Sequence, residues 1–267
     1  HLDYYKNFNK LIEAFKIFIE KTPPIGKSFL CFDDLNIKQI IKKLKTKNYL
    51  TYGFDKNSNY QVLNARYKIN CTKFDLKIRN VGSKKFYFKN ILLNLIGKYN
   101  VLNATAAISL CLKLGLKINI IKKALKNFSG VQRRLTKVFK KNKIEFYDDY
   151  AHHPTEIKSV LDAVRNVTLK RKIIVIFQPH RYSRIRSLKS EFISCFKNAD
   201  QVILCPVYAA GEPIDKEYNQ KKFAHLISKF SRTQVILIEN EINLNKFLKR
   251  NLINDEFVIG MGAGSIS

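Results

Sequence analysis

The chain lacks several features that would place it in large, well-marked classes. No apolar run approaches the roughly 18–20 residues needed to span a bilayer, so no membrane segment is expected. The opening residues, His1-Leu2-Asp3-Tyr4-Tyr5-Lys6, have neither a leading methionine nor the basic-then-apolar layout of a signal peptide. The chain stops at Gly264-Ser265-Ile266-Ser267, directly after an apolar run, so both ends read as cut and a fragment is expected. Cysteine is sparse: Cys31, Cys71, Cys111, Cys195 and Cys205 are scattered, odd in number and without CxxC spacing. That excludes a zinc ribbon or a disulfide framework and suits a reducing cytoplasm.

Acidic residues are also few, 21 against 49 Lys and Arg, for a net charge of +28. Such a balance suits polyanions, and a basic nucleotide- or nucleic-acid-binding module without turnover is the alternative reading of the chain. The lysines, however, are dispersed among Asn and Ile residues. Clusters such as Lys42-Lys43-Leu44-Lys45 and Lys140-Lys141-Asn142-Lys143 read as solvated helix ends and turns, not as a binding stripe interleaved with aromatics. AT-rich codon usage accounts better for the excess. No nucleic-acid partner is expected, while small anionic substrates remain compatible. A complete phosphate-binding loop is missing too. Gly26-Lys27-Ser28 has the tail of G-x-x-x-x-G-K-[ST], but Lys21 stands where the first glycine belongs, and a helix precedes where a strand should.

What is present is an ordinary globular composition, 46% hydrophobic and 26% charged, over 267 residues, enough for one large or two medium domains. Phe8, Leu11, Ile12, Phe15, Phe18 and Ile19 space out a helix over 5–20, stopped by Pro23-Pro24. A strand over 29–32 and a short helix over 37–44 follow. Phe74, Leu76 and Ile78 then alternate with polar residues, as do Phe86 and Phe88. Asn100 is placed to cap a helix over 101–114, ended by Gly115, and a second helix runs over 118–128. After Ser129-Gly130 the rhythm becomes strand–helix alternation, with strands over 144–148, 172–177, 201–206, 234–238 and 256–261 and helices starting near 154, 187, 219 and 241. That is the pattern of parallel βαβ units. The expected fold class is therefore α/β: a mixed α/β domain over 1–129, then a Rossmann-like, doubly wound parallel-sheet domain over 130–267.

The second domain is organised around Asp148-Asp149-Tyr150-Ala151-His152-His153-Pro154-Thr155-Glu156. Ile144 and Phe146 mark a strand before it. Ile157, Val160, Leu161 and Val164 mark a helix after it, with Pro154 suited to the first turn. Ligands of open α/β sheets bind at the carboxyl ends of strands, so two carboxylates, a phenol and two imidazoles in one such connection point to a site. Taken singly, an aspartate that ends a strand or a histidine that caps a helix is a sufficient structural reading; it is the cluster that favours chemistry. The connection Gln178-Pro179-His180-Arg181-Tyr182-Ser183-Arg184 offers two arginines three residues apart beside a histidine, a clamp for carboxylate or phosphate oxygens. Tyr208-Ala209-Ala210-Gly211-Glu212 and Gly262-Ala263-Gly264 should emerge on the same edge. Gly260-Met261-Gly262-Ala263-Gly264-Ser265 narrowly misses a dinucleotide fingerprint because Ser265 replaces the third glycine.

Taken together, Gly97-Lys98-Tyr99-Asn100-Val101-Leu102-Asn103, Phe128-Ser129-Gly130-Val131-Gln132-Arg133-Arg134, Asp148 to Glu156, Phe177 to Arg184, Val207 to Glu212 and Gly262-Ala263-Gly264 resemble the Mur ligases, in the order that family has them. The His-His-Pro and Phe-Gln-Pro-His-Arg-Tyr-Ser-Arg segments resemble its alanine-adding members. The resemblance implies the C-terminal part of a central ATPase domain (1–129) and a C-terminal Rossmann-like domain (130–267). It also implies a cytoplasmic ligase with ATP and Mg2+ as cofactors, joining L-alanine to the lactyl carboxylate of UDP-N-acetylmuramate through an acyl phosphate. By the same resemblance Asn100, Asn103, Arg134 and Asp149 contact the adenine and ribose of ATP. Tyr150, His152, Arg181 and Arg184 line the alanine and acyl-phosphate site, and His1 helps hold the magnesium ion. Tyr99 departs from the family, which usually has histidine there. Whether His152 or His153 acts chemically stays open, since the neighbours need not face the same way.

Overall fold

In this computed structural model residues 2–5, 7–79 and 86–266 are described. The chain forms two compact units, residues 1–129 and 130–267. The first begins with helices α1 (Leu2–Tyr5) and α2 (Phe8–Glu20). The single helix expected over 5–20 is thus broken, because Asn7 caps α2, its side chain accepting from the Lys10 amide at 3.0 Å. Strand β1 (Ser28–Cys31), helix α3 (Leu35–Lys43), strands β2 (Tyr49–Gly53), β3 (Tyr60–Lys68), β4 (Cys71–Ile78) and β5 (Phe86–Leu93), then helices α4 (Lys98–Lys113) and α5 (Ile118–Asn127) complete the unit. Its sheet runs β1-β2-β3-β4-β5, parallel as far as β3 and antiparallel beyond. The alternation read in β4 is real burial alternation: Phe74, Leu76 and Ile78 point into a core shared with Tyr60, Ile91 and the Val101, Ala104 and Ile108 face of α4.

Helix α4 starts three residues earlier than the sequence reading placed it. Gly97, at φ 97°, is the cap, a backbone conformation glycine adopts without a Cβ penalty. Asn100 therefore lies inside the first turn, and its side-chain amide donates back to the Ile96 carbonyl at 2.8 Å. The capping role assigned to Asn100 belongs to Gly97.

The second unit opens with β6 (Thr136–Lys141), β7 (Ile144–Asp149) and α6 (Pro154–Thr168), followed by β8 (Ile173–Phe177), α7 (Tyr182–Ser187), α8 (Lys189–Phe192), β9 (Gln201–Leu204), α9 (Gln220–Ser231), β10 (Gln234–Leu237), α10 (Glu241–Asn251) and β11 (Phe257–Met261). The sheet order is β10-β9-β8-β11-β7-β6, parallel throughout except for β6. The five strands expected are all found, and the helix expected near 187 is two short helices, α7 and α8. Strand β6, which the sequence reading left out, forms a hairpin with β7 across Asn142, a left-handed residue at φ 54°.

Alternate residues of the central strands serve opposite faces. Ile174, Ile176, Ile203 and Val258 pack with Leu244, Phe247 and Leu248 of α10. On the other face Phe177 is fully buried, its ring 5.9 Å from Phe192 and 5.2 Å from Phe196. Truncating it deletes an aromatic from a close-packed layer. Phe177→Ala should therefore cost about 3–5 kcal/mol, measured as a lower urea midpoint in the transition that reports on residues 130–267.

Candidate active site

Because β7, β11, β8 and β9 are neighbours and parallel, their carboxyl ends lie along one edge. Register fixes how they line up: Met261 sits opposite Asp149 on one side and Phe177 on the other, and Phe177 opposite Leu204. Backbone bonds continue past the ladders. Gln178 N donates to Met261 O at 3.0 Å, Gly262 N to Asp149 O at 3.2 Å, and Cys205 N to Phe177 O at 2.9 Å. The connection after β8 and the one after β9 then pair directly, Tyr208 N donating to Pro179 O at 2.8 Å and Arg181 N to Tyr208 O at 2.9 Å. Arg181 takes φ 68° there, left-handed for a non-glycine residue, and caps α7.

These connections bring four rings into a row. Tyr150 and His152 meet edge to face at 5.1 Å between centroids, His152 and His180 lie 5.7 Å apart, and His180 stacks on Tyr208 at 5.6 Å. Arg184 Nη1 donates to His180 Nδ1 at 3.0 Å and to His180 O at 3.3 Å. Arg181 is half-buried beside them, and its charge helps keep His180 neutral. So Tyr150, His152, Arg181 and Arg184 gather at one edge, together with two residues the sequence reading gave no role, His180 and Tyr208. Cations at a helix start oppose its dipole. Here Glu212, from the connection after β9, offsets them by accepting from the Ser183 amide at 3.1 Å and from the Ser183 hydroxyl.

The two neighbouring histidines do different work. His153 is the cap of α6, its Nδ1 accepting from Thr155 N at 3.3 Å, while Glu156 Oε2 accepts from the amides of His153 at 3.3 Å and His152 at 3.2 Å. His152 instead turns its Nδ1 to the Tyr150 carbonyl at 2.8 Å. A carbonyl only accepts, so Nδ1 carries the proton and a neutral His152 keeps its lone pair at Nε2. Glu156 Oε2 lies 3.6 Å from the same Nδ1.

Residues assigned to the nucleotide are distributed differently. Asn100 and Asn103 lie three apart on α4, hence on one helix face, Asn103 exposed and Asn100 half-buried. Arg134 is exposed, 4.0 Å from Glu156 and above the Tyr150 ring at 5.9 Å. Arg133, which received no role, is closer to that ring at 4.8 Å and donates to Gly262 O at 2.8 Å. Asp149 is 1% exposed, and both of its oxygens are taken by backbone amides, Ala151 N at 2.8 Å and Leu135 N at 2.7 Å. Burial pushes its carboxyl up to about 6, against those two bonds. The structure thus places Asp149 beneath the site as the brace of two loops. His1 lies outside the described residues, and among the described residues no group of three or more His, Cys, Asp or Glu could hold a metal ion.

Glycine matters most at Gly264. A Cβ there would lie 2.4 Å from Gln178 Oε1, 2.7 Å from Tyr208 Cγ and 3.0 Å from Tyr208 Cβ. The connection after β11 can pack under Tyr208 only without a side chain.

This architecture and its edge cluster have a family. The chain belongs to the Mur ligases: residues 1–111 match the Mur ligase middle domain, and residues 133–264 match the family described as Mur ligase, glutamate ligase domain. Among individual proteins it is similar to the UDP-N-acetylmuramate–L-alanine ligase of Pelagibacter ubique, 46% identical over 267 residues, all of this chain and 58% of that protein. The enzyme of the same name from Agrobacterium fabrum is 36% identical over 268 residues, covering 57% of its length. The chain thus spans somewhat more than half the length of these relatives. In solved structures, UDP-N-acetylmuramate-alanine ligase MurC from Thermotoga maritima superposes with TM-score 0.73 at 26% identity, over all of this chain and 54% of that one. MurF from Acinetobacter baumannii, at 16% identity and TM-score 0.71 over 98% of this chain and 54% of that one, shares the fold.

Two outcomes follow from the geometry. Asp149→Ala strands two buried amides and should cost on the order of 2–6 kcal/mol, read as a loss of thermal stability without nucleotide present. A residue that served only as a nucleotide contact would leave that melting temperature unchanged. Gly264→Ala should displace Tyr208 and lower stability by about 1–3 kcal/mol, the usual cost of overpacking, visible as a shift of the Tyr208 ring resonances.

Proposed function

We infer that the gene product carrying this chain is an ATP-dependent ligase that joins L-alanine to the lactyl carboxylate of UDP-N-acetylmuramate in peptidoglycan precursor synthesis, with this segment supplying the amino-acid end of the site. The observation that carries the reading is the convergence of His152, His180, Arg181 and Arg184 at one sheet edge, in a chain 46% identical to a ligase of that name.

In the first step a lactyl carboxylate oxygen attacks the γ-phosphorus of ATP, and ADP leaves, giving an acyl phosphate. In the second the alanine nitrogen attacks the acyl carbon, the carbon–oxygen bond to phosphate breaks, and inorganic phosphate leaves as the amide forms. The incoming ammonium must lose a proton first. His152 is arranged to take it, since Nδ1–H is held by the Tyr150 carbonyl and Nε2 presents the lone pair; a positioned base of this kind is typically worth about 10²–10⁴-fold. Arg181 and Arg184 suit the alanine carboxylate, because guanidinium pairs with carboxylate in a fixed fork. Asn100 and Asn103 offer adjacent amides for an adenine edge, and Arg134 a cation near the ribose or phosphates. Mg2+, when bound, would neutralise phosphate charge during the first step. The five free thiols and the absence, among the described residues, of a helix long and apolar enough to cross a membrane support a cytoplasmic setting.

The test is formation of UDP-N-acetylmuramoyl-L-alanine by the full gene product. His152→Ala should lower kcat by about 10²–10⁴-fold, and Arg181→Ala should bring amide formation to background. Full activity of the arginine variant would remove the clamp from the reading. Failure to make the product with any amino acid would remove the ligase assignment.

A further inference from the structure

His180 has no part in the chemistry above, yet it is the residue on which the edge cluster closes. Its ring stacks on Tyr208 on one side, tilts against His152 on the other, and accepts a hydrogen bond from Arg184. A guanidinium has donors and no acceptor, so Nδ1 of His180 must offer a lone pair to Arg184 Nη1. The neutral ring then carries its proton on Nε2. In His152 the backbone carbonyl imposes the reverse, a proton on Nδ1 and a lone pair on Nε2. Two imidazoles 5.7 Å apart are therefore fixed in opposite tautomers by partners that cannot exchange roles.

We propose that His180 is the positioning residue for the carboxylate clamp: its unprotonated Nδ1 aims the Arg184 guanidinium at the incoming amino acid, and this fixed tautomer leaves proton abstraction to His152 alone. The clamp part rests on the ligase reading given above; the tautomer assignment does not.

The charges around the ring favour the neutral form the role requires. Burial, followed by the positive charges of Arg184, His152 and Arg181, pushes the His180 imidazole down to about 4, with Glu212 opposing them. Protonation at Nδ1 would replace an acceptor with a donor facing a guanidinium. The ring therefore holds Arg184 from about pH 5 upward, and losing it should affect binding of the carboxylate more than turnover. The contact at 3.3 Å between Arg184 Nη1 and the His180 carbonyl would survive a side-chain change, so the loss is partial.

The experiment compares His180→Leu, His180→Asn and Arg184→Ala in the full gene product, with 15N spectra of the histidine rings. Asparagine places a carboxamide oxygen where Nδ1 stood and so restores the acceptor. His180→Leu should raise the KM for alanine by about tenfold while kcat stays within about threefold, and His180→Asn should return KM to within about threefold of the parent. The spectra should show His180 protonated at Nε2 and His152 at Nδ1. A leucine variant with unchanged KM, an asparagine variant as impaired as the leucine one, or a His180 ring protonated at Nδ1 overturns the proposal. Should the leucine variant fold poorly, as its melting temperature would show, the asparagine variant and the spectra decide. Arg184→Ala separates the two levels. If it leaves the alanine KM unchanged, the clamp itself is wrong; if it raises KM while His180→Leu does not, only the positioning role falls.

Discussion

The ladders that β11 makes with β7 on one side and β8 on the other are the constraint from which the site follows. β11 comes last in the chain, yet it is inserted between the first and second parallel strands of the domain, and in register with both. A slip of one residue would turn every side chain on it to the wrong face. With the register set, the loops that follow β7 and β8 leave the sheet at the same height, one strand apart. That spacing lets the His152 and His180 rings approach across the loop of Gly262 and Gly264. Backbone bonds from Gln178 and Gly262 then extend the lock beyond the last ladder pair. The imidazoles and guanidiniums at this edge are thus carried on loops tied to one another by backbone hydrogen bonds.

The second determinant is how charge is compensated locally in a chain of net charge +28. Several cations of the Rossmann-like unit are committed to named partners: Arg165 to Asp200 at 2.5 Å, Arg171 to Glu145 at 2.6 Å, Arg186 to Asp215 at 2.5 Å. The few acids are spent largely on arginines and on loop amides, as with Asp149 and Glu212. What is left at the carboxyl edge of the sheet is a cationic cluster suited to small anions, a different use of positive charge from a stripe along a surface.

Much of this was legible before any coordinates. Buried parallel strands read as near-continuous apolar runs, so 173–177 and 257–261 were found at nearly their true bounds. The candidate site residues drew notice because they crowd into short connections after those runs. What escaped did so for physical reasons. Strand β6 is exposed along almost its whole length and has no apolar alternation to betray it; only the Asn142 turn marked it. The start of α4 was misplaced because a glycine at positive φ did the capping, while Asn100 merely had the type of side chain that often caps. The bracing bonds of Asp149 were not legible either, because sequence carries no sign of which way an aspartate's oxygens face. His180 was visible beside its arginines, but the hydrogen bond it accepts from Arg184, four residues on, does not follow from the spacing alone.

Strand β6 has a further consequence. It is the terminal strand of a six-stranded sheet, and an open strand is a template on which another chain can add. Its exposed residues include Lys137, Lys140 and Lys141, with Phe139 laid flat on Phe146 at 4.1 Å. At the opposite border, β10 is only four residues long. Exposed lysines at one border and a short strand at the other are features that disfavour edge-to-edge pairing of sheets.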